Sequence, residues 1–524
     1  MNTAVPTPTP NALDRNAPRP RDLDDRRALR YLAGLLLLST VVRGFFSWRL
    51  GLGDAEAYYW TWSRHLALSY YDHPPMVAWL IALGTSIGEQ TLFVRLASLL
   101  LFNGVAWLLF GLTREITGRA NDGLVAVAIL HVVPAFFIGG MTATPDIPLA
   151  FFWLAAIRLY DLAVRRDRPP LFLAAGVAVG LAFLSKYFAI LLPIVLLVHL
   201  SHRERRHYLR TPWPWLGALV ALGATGFVIA WNVQHHWAST HYHLVARHHH
   251  VGPSLQLLGK VIGGQLGYIT PLFLIFFLST LFWLRRERRD DPGGQLLFVS
   301  SIIPLVVLGV ISSITDESEP HWPVMGYLPL CAALAWRYET LPLARRFSTR
   351  VQRLRKAAVW FSLGLMGLFM IHVSTPALIR LLPASLYQPK VDITNELYGW
   401  PALGAAVERL RRVEGASFAM SYHYTMCSQL NYATGDRIPV LCPNHRLDQF
   451  DFMTDERSFY GKTGLFVGDN RYRRPPAEAV ICRKLEKLEE LDVYRGTTWV
   501  RRFTIYRCAG FSGVRPKTTG LSAR

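Results

Sequence analysis

The chain has 524 residues, of which 51% are hydrophobic and 12% aromatic, a composition that few soluble domains of this length reach. Its formal net charge is +20. The arginines stand in clusters between apolar runs instead of covering one face of a domain. Composition and charge therefore favour a polytopic membrane protein and argue against a nucleic-acid partner.

The N-terminal segment, residues 1–30, is rich in Pro and Arg and predicts a disordered cytoplasmic tail. No small-residue cleavage site follows the next apolar run, Tyr31 to Trp48, so we interpret this run as a retained first span. Apolar stretches long enough to cross a hydrocarbon core of roughly 30 Å recur up to about Leu382. We therefore expect the membrane part to occupy residues 31–382.

Two carboxylates, Asp54 and Glu56, follow the first span in the stretch "LGLGDAEAYYWTW". The next apolar segment, Leu66 to Leu83, is interrupted by "DHPP", which contains Asp72 and His73. This interruption favours interfacial helices at the membrane surface over a full span.

Two further polar groups stand at the borders of apolar runs. Asp146, in "TPDIPL", precedes Pro148 and a long apolar run, where a carboxylate also has the alternative role of capping a helix. Lys186, in "LSKY", interrupts the apolar stretch from Leu171 to Leu200. The alternative role of Lys186 is to extend its ammonium group to the membrane surface.

Two kinds of loop alternate along the chain. Arg-rich connectors are typical of cytoplasmic loops, and they lie at Arg15–Arg30, Arg114–Arg119, Arg165–Arg168, Arg203–Arg210, Arg285–Arg289 and Arg345–Lys356. Connectors that carry acids, His and Trp lie at Gly51–Pro75, Gly139–Asp146, Trp231–His250 and Thr315–Trp322. The alternation is complete only if Leu171 to Leu200 is a hairpin of two short helices that turns at Lys186. The pattern then predicts about eleven crossings, with the N-terminus inside and the C-terminal part outside.

This topology brings seven polar residues to the outer ends of the spans: Asp54, Glu56, Asp72, His73, Asp146, Lys186 and His321. An ionisable group at the membrane is costly without a partner, so we interpret the set as a site. Carboxylates with a Lys suit a reaction in which a hydroxyl loses its proton while a phosphate leaves. The alternatives are solvated loop acids and, for the nearby Tyr and Trp residues, an interfacial aromatic belt.

Residues 383–524 mix short β-rich runs such as "KTGLFVGDN" with charged runs of helical appearance such as "RKLEKLEELDVY", which predicts a soluble α/β domain. Four cysteines lie in this domain, and in an oxidising compartment they favour disulfides. Proximity in sequence favours Cys482 with Cys508 and Cys427 with Cys442, with free thiols as the alternative.

The stretches "DAEAYYWTWSRHLALSYYDHPPMVAWLI", "TPDIPL", "LSKY", "WNVQHHWAS" and "HWP" together resemble bacterial family-39 glycosyltransferases of the GT-C fold. These are relatives of the protein O-mannosyltransferases and of the enzyme that places aminoarabinose on lipid A. The resemblance implies an α-helical polytopic fold, a polyprenyl-phosphate-linked sugar as donor, and inversion at the anomeric carbon. It also implies an active site at the outer face of the bacterial cytoplasmic (inner) membrane.

Matching the family motifs assigns roles to these residues. Asp54, Glu56 and Asp146 fall on its catalytic acids, Asp72 and His73 on its acid-plus-cation before Pro-Pro, and Lys186 on its phosphate-binding lysine. We expect Arg64 and His73 to help Lys186 hold the donor phosphate. Many relatives have two adjacent acids where this chain has Asp54-Ala55-Glu56, so either carboxylate could be the base.

A divalent cation could share the phosphate, with Asp72 and His321 as its candidate ligands. The expected acceptor is lipid A or another envelope glycolipid, with protein hydroxyls second. A transporter or flippase of a lipid-linked sugar would also be polytopic, but it should show internal repeats, and none is seen in the sequence. A scaffold subunit of an envelope complex is a further alternative.

Overall fold

The structure, a computed structural model, describes residues 25–246, 251–340, 348–381, 383, 386–444, 446–472 and 474–515. Its N-terminal part is a helical bundle. The helices are α1 Asp25–Arg49, α2 Asp54–Arg64, α3 Met76–Thr85, α4 Thr91–Thr117, α5 Ala120–Val132, α6 Pro134–Gly139, α7 Asp146–Arg165, α8 Leu171–Ser185, α9 Leu191–Leu200, α10 Trp213–Gln234, α11 Ala238–His241, α12 Leu255–Ile269, α13 Pro271–Glu287, α14 Pro292–Ile314, α15 Leu328–Thr340, α16 Thr349–Ser374 and α17 Ala377–Arg380.

Six of the described helices are long and apolar enough to cross a membrane, namely α1, α4, α7, α10, α14 and α16. A seventh candidate is the pair α12 and α13, which bends by 100° at Thr270. Several remaining apolar helices are shorter, including α3, α5, α8 and α9. The chain is therefore a multi-span membrane protein, and the count of about eleven crossings stays a prediction.

The predicted hairpin is confirmed. α8 and α9 are separated by Lys186, whose extended backbone ends α8, and by a single 3₁₀ turn, Tyr187–Ile190. Tyr160, near the end of α7, contacts both ends of this unit: the Phe172 ring lies 5.8 Å from its ring, and His199 Nδ1 lies 2.7 Å from its hydroxyl. The start of α8 and the end of α9 thus lie together, with Lys186 at the opposite end.

Small residues let α8 approach α10 closely. A methyl group added at Gly176 would stand 2.1 Å from the carbonyl oxygen of Gly217. Such close approaches are typical of packing between helices in membranes. The packing fixes the first arm of the hairpin and, with it, the position of Lys186.

The C-terminal part, here called the sheet domain (residues 393–515), is an α/β unit, as predicted. Its helices are α18 Trp400–Glu414 and α19 Tyr424–Ala433, and its strands are β1 Phe418–Met420, β2 Val440–Leu441, β3 Gly464–Asp469, β4 Val480–Arg495 and β5 Thr498–Val514. The sheet has the order β2-β1-β3-β5-β4, in which β1 is parallel to β2 and β3 whereas β5 is antiparallel to β3 and β4. One hydrophobic cluster joins α2 and α3 to this domain, so the two parts share a core.

Two sequence predictions are wrong. The charged run "RKLEKLEELDVY" lies in strand β4, because β5 pairs with it along nearly its full length. A bulge at Leu488 reverses the alternation of faces, so Leu485 packs on one side of the sheet and Leu491 on the other. Residues 25–30, predicted to be disordered, form the start of α1, and residues 1–24 lie outside the described residues.

Both predicted disulfides are present. Cys427–Cys442 joins α19 to the segment after β2, and Cys482–Cys508 links β4 to β5. Cys331, in α15, is buried and free. The domain boundaries at residues 30 and 382 remain predictions.

Candidate active site

Lys186 and Asp146 form an ion pair at the turn of the hairpin. Lys186 Nζ donates to Asp146 Oδ1 over 2.7 Å, and the Lys186 side chain is buried. Asp146 is the first residue of α7. Pro145 is the N-cap residue of this helix, and its side chain makes no capping hydrogen bond. The carboxylate of Asp146 thus binds Lys186 instead of capping the helix.

Two histidines lie beside this pair. His321 Nε2 is 3.9 Å from Asp146 Oδ2, and His73 is close enough to Asp146 to interact with it electrostatically. The His73 ring packs near Tyr59, with 5.9 Å between the ring centroids. When both histidines are protonated, three cations surround one carboxylate. We call Asp146, Lys186, His73 and His321 the lysine cluster.

Asp54 lies at the start of α2 and contacts the sheet domain. It is the first residue of α2, and its side chain is nearly buried. Gln429 Nε2 donates to Asp54 Oδ1 over 3.2 Å, and Arg471 Nη1 lies 3.6 Å from Oδ2. Burial raises the pKa of Asp54 above its ordinary value, although Arg501 and Arg471 oppose this rise. A carboxylate with a raised pKa is a stronger proton acceptor.

Glu56 is already saturated with hydrogen bonds. Arg95 Nε donates to Oε1 over 2.7 Å and Arg95 Nη2 to Oε2 over 2.5 Å, while the amides of Ala143 and Gly53 donate to the same two oxygens. Burial raises the pKa of Glu56, but Arg95 and these amides outweigh burial and hold it below its ordinary value. Glu56 therefore fastens α2 to α4 and has little capacity left to accept a proton.

Asp72 contacts the sheet domain, whereas His321 lies beside Asp146. Tyr58 Oη donates to Asp72 Oδ2 over 2.7 Å, and Arg446 Nη1 lies 3.4 Å from Oδ1. Within the described ranges, no group of three His, Cys, Asp or Glu could hold a metal ion. The pair Asp72 and His321 thus does not fit a metal site, since Asp72 binds an arginine and His321 lies beside Asp146. We derive no step through a cation.

Arg64 does not join the lysine cluster. Its guanidinium lies 3.4 Å from the carboxylate of Glu89 and 4.6 Å from the centre of the Trp60 ring. Arg64 is the last residue of α2 and lines a cavity together with Glu89 and Tyr432. The prediction that Arg64 helps Lys186 to bind the donor phosphate is therefore not supported.

Glu396 is a further carboxylate that lies next to Asp54 and that the sequence did not reveal. Glu396, in the 3₁₀ turn Ile393–Leu397, accepts a hydrogen bond from the backbone amide of Asp54. Burial and then the charge of Asp54 raise the pKa of Glu396 to about 8. Near neutral pH, Asp54 and Glu396 thus retain one proton between them.

Other missed residues come from the sheet domain, namely Gln429, Arg446 and Arg471. Nothing in the local sequence pairs them with Asp54 or Asp72, since they stand more than 370 positions away from these partners. Arg95 did leave a signal, because a lone arginine inside the apolar run "TLFVRLASLL" needs a partner. The partner itself could not be read from the sequence, because Glu89 and Asp72 stand closer to Arg95 than Glu56 does.

Comparisons with known proteins agree with this architecture. Residues 72–231, which include Asp72, His73, Asp146 and Lys186, match the family model described as dolichyl-phosphate-mannose-protein mannosyltransferase. The chain is 27% identical over 319 residues to the lipid A galacturonosyltransferase RgtD of Rhizobium johnstonii, covering 56% of this chain and 64% of that protein.

A second relative is the undecaprenyl phosphate-alpha-4-amino-4-deoxy-L-arabinose arabinosyl transferase of Pseudomonas savastanoi pv. phaseolicola. It is 26% identical over 369 residues, which cover 65% of each chain. The aligned regions thus span just under two thirds of these curated relatives.

Among solved structures, ArnT from Cupriavidus metallidurans bound to undecaprenyl phosphate matches with a TM-score of 0.61 at 17% identity, over 91% of this chain and 97% of ArnT. The oligosaccharyltransferase of Archaeoglobus fulgidus matches with a TM-score of 0.50 at 14% identity, over 79% and 64% of the two chains. The resemblance to GT-C glycosyltransferases that the sequence motifs indicated is confirmed, and the chain has the fold of ArnT.

Proposed function

We propose that this protein is a membrane glycosyltransferase that moves a sugar from a polyprenyl-phosphate donor to lipid A or another envelope glycolipid. The observation that carries the proposal is the buried Lys186–Asp146 pair at the hairpin turn, in a fold shared with a protein solved with undecaprenyl phosphate. A buried ammonium group beside two histidines is a suitable binding site for a phosphate.

We assign the prenyl tail of the donor to an apolar groove next to the Lys186–Asp146 pair. A cavity of about 390 Å³ lies between α8, α9 and α10, lined almost entirely by apolar side chains. It extends from Ala189 and Ile190, just after Lys186, to Leu200 and Trp215 at the other end of the hairpin. A prenyl chain in this groove brings its phosphate to Lys186.

Asp54 is the general base of the proposed reaction. It accepts the proton of the acceptor hydroxyl while the hydroxyl oxygen forms a bond to the anomeric carbon of the sugar. On the opposite side of that carbon the bond to the phosphate oxygen breaks, and polyprenyl phosphate leaves with its new charge held by Lys186. The configuration at the anomeric carbon is inverted.

Glu56 and Asp146 are positioning residues in this mechanism. Glu56 holds the start of α2 through Arg95, which also donates to the carbonyls of Ser47, Leu50 and Gly51. Asp146 holds the ammonium of Lys186 in place until a phosphate competes for it.

The proposed orientation places the lysine cluster and the sheet domain outside the cytoplasmic membrane. Arg-rich connectors at the opposite ends of the helices support it, because such loops remain in the cytoplasm. The two disulfides of the sheet domain also support it, since disulfides persist in oxidising compartments.

A lipid acceptor is favoured over a protein acceptor. The family model is named for a protein mannosyltransferase, whereas the two relatives described above are named for lipid A and for an aminoarabinose donor. A transporter remains the alternative from another class.

The test is sugar transfer by the purified protein in detergent. Polyprenyl-phosphate-linked galacturonic acid and aminoarabinose serve as donors, and lipid A and a Ser/Thr-rich peptide as acceptors. The proposal predicts a glycosylated lipid A that requires the donor and is absent with Asp54→Asn. Transfer to the peptide alone would favour the protein acceptor, and no transfer with either would contradict the proposal.

A further inference from the structure

A second cavity is lined by other elements than the apolar groove between α8, α9 and α10. It has a volume of about 1170 Å³ and is enclosed by the end of α1, the end of α2, the end of α16 and the sheet domain. The two cavities share no lining residue among the described parts of the chain. We call the larger one the arginine cavity, after Arg49, Arg64 and Arg437 in its wall.

The charge of this wall is positive. Three arginines face one acid, Glu89, and Arg49 and Arg437 are exposed. Arg64 Nη1 and Nη2 each lie 3.4 Å from one oxygen of Glu89, and Arg64 Nε is buried without a hydrogen-bond partner among the described residues. Buried guanidinium nitrogens that lack a partner are costly, and an anion with several oxygens would satisfy them.

The other side of the cavity is apolar and lies at the end of a membrane span. Phe45 and Phe46 of α1 line it, and Phe45 is 54% exposed. Trp48, one turn further along the helix, is 57% exposed, as is usual for aromatic side chains at the membrane surface. Apolar residues within the membrane and arginines at its edge match a lipid with acyl chains and a phosphate group.

The arginine cavity also reaches the proposed base. Gln429 lines the cavity, and its Nε2 donates both to the carbonyl of Leu52, another lining residue, and to Asp54 Oδ1. One hydrogen bond of Gln429 thus connects the wall of the cavity to Asp54.

We infer that the arginine cavity binds the acceptor, a glycolipid whose phosphate groups contact Arg49, Arg64 and Arg437 while its acyl chains lie along α1. This inference rests on the proposed function for the identity of the acceptor. Donor and acceptor then reach α2 from different faces, the donor along α8 to α10 and the acceptor between α1, α16 and the sheet domain. Two lipids thus approach the reaction centre without competing for one groove.

The test is direct binding of lipid A to the purified protein. The variants are Arg49→Gln combined with Arg437→Gln, and Arg64→Gln alone, with Arg412→Gln as the control because Arg412 is exposed on α18 outside the cavity. The probes are lipid A with both phosphates and its dephosphorylated form. We expect the double variant to raise the Kd for phosphorylated lipid A by about tenfold or more, with a smaller effect on the dephosphorylated form. Unchanged binding of undecaprenyl phosphate shows that the variants are folded.

Kinetics separate this inference from the proposed function. In the transfer assay the double variant should raise KM for lipid A with kcat nearly unchanged. If the variants lose lipid A binding but the wild type transfers no sugar, the cavity assignment stands and the proposed function fails. If the wild type transfers sugar and the variants keep wild-type Kd and KM for lipid A, the cavity assignment is overturned and the proposed function stands.

Discussion

Asp54 and Glu56 stand two positions apart on α2 and have opposite electrostatic environments. Burial raises the pKa of Asp54, while Arg95 and two backbone amides hold the pKa of Glu56 low. The sequence predicted that one of them is the base but left the choice open. The choice depends on Arg95 and Gln429, which only the folded chain brings to these carboxylates.

Substitution of this acid pair should separate catalysis from stability. Asp54→Asn should lower kcat by about 100- to 10,000-fold with little change in thermal unfolding, because it removes a positioned base and keeps the side-chain shape. Glu56→Gln should lower the thermal midpoint, because a buried ion pair that loses one charge costs about 3 kcal/mol. Activity and unfolding are measured on the same purified samples. Equal activity loss in two equally stable variants would contradict the assignment.

The pH dependence of transfer follows from the same residue. Asp54 acts as a base only when ionised, so the rate should fall as pH falls through its pKa, which burial places above the ordinary 3.8. Arg471→Gln removes a cation that favours the ionised form, so the acid limb should move to higher pH. A rate profile that is unchanged in this variant would argue against Asp54.

Lys186→Ala tests the donor-phosphate site. Loss of a fixed cation at a leaving phosphate should lower kcat by about 100-fold or more, and Lys186→Arg should restore part of it because a planar fork replaces a compact ammonium group. Lys462→Ala, an exposed change in the sheet domain, is the control. Normal turnover of Lys186→Ala would mean that Lys186 only extends its charge to the membrane surface.

At the scale of elements, α2 lies between the bundle and the sheet domain and contacts both. Glu56 faces α4, whereas Asp54 and Tyr58, one turn apart, face the sheet domain. The hairpin of α8 and α9 could be predicted from loop charges, since a single helix would have reversed all later loops. Strand β4 could not be predicted in this way, because its leucines are three positions apart, a spacing that is typical of a helix. Only the pairing with β5 makes this segment a strand.

The disulfide Cys427–Cys442 should matter for α19, the element that carries Gln429. Its closed loop of 15 residues predicts a stabilisation of about 3 kcal/mol for the sheet domain. Cys427→Ala with Cys442→Ala should therefore lower the thermal midpoint and reduce transfer at temperatures that the wild type tolerates. Cys331→Ala, in the bundle, is the control. An unchanged midpoint would mean that the bond adds nothing to the stability of this domain.

For the whole molecule, the alternation of Arg-rich and acid-rich loops and the motif set were enough to predict a GT-C bundle with a C-terminal α/β domain. The sequence did not predict that the sheet domain contacts two carboxylates of the candidate site. Asp54 and Asp72 both contact this domain, at Gln429 and Arg446. Such contacts join residues far apart in the chain and follow from the docking of the two parts, which no local pattern encodes.

The proposed orientation gives a direct topology test. Reporter fusions after Arg119, Arg168, Arg210, Arg289 and Lys356 should all score cytoplasmic, and a fusion at Thr394 should score external. An external result at Arg210 would contradict the orientation of the hairpin and with it the position of Lys186 at the outer surface.

The most direct test of the central claim is the mass spectrum of lipid A from a deletion strain. We expect that the deletion removes a species heavier by one sugar and that the wild-type gene restores it. We expect that Lys186→Ala and Asp54→Asn do not restore it, although both variants are present in the membrane at the wild-type level. Lipid A that is identical in the deletion strain and its parent, under conditions in which the protein is expressed, would contradict the claim that this protein adds a sugar to lipid A.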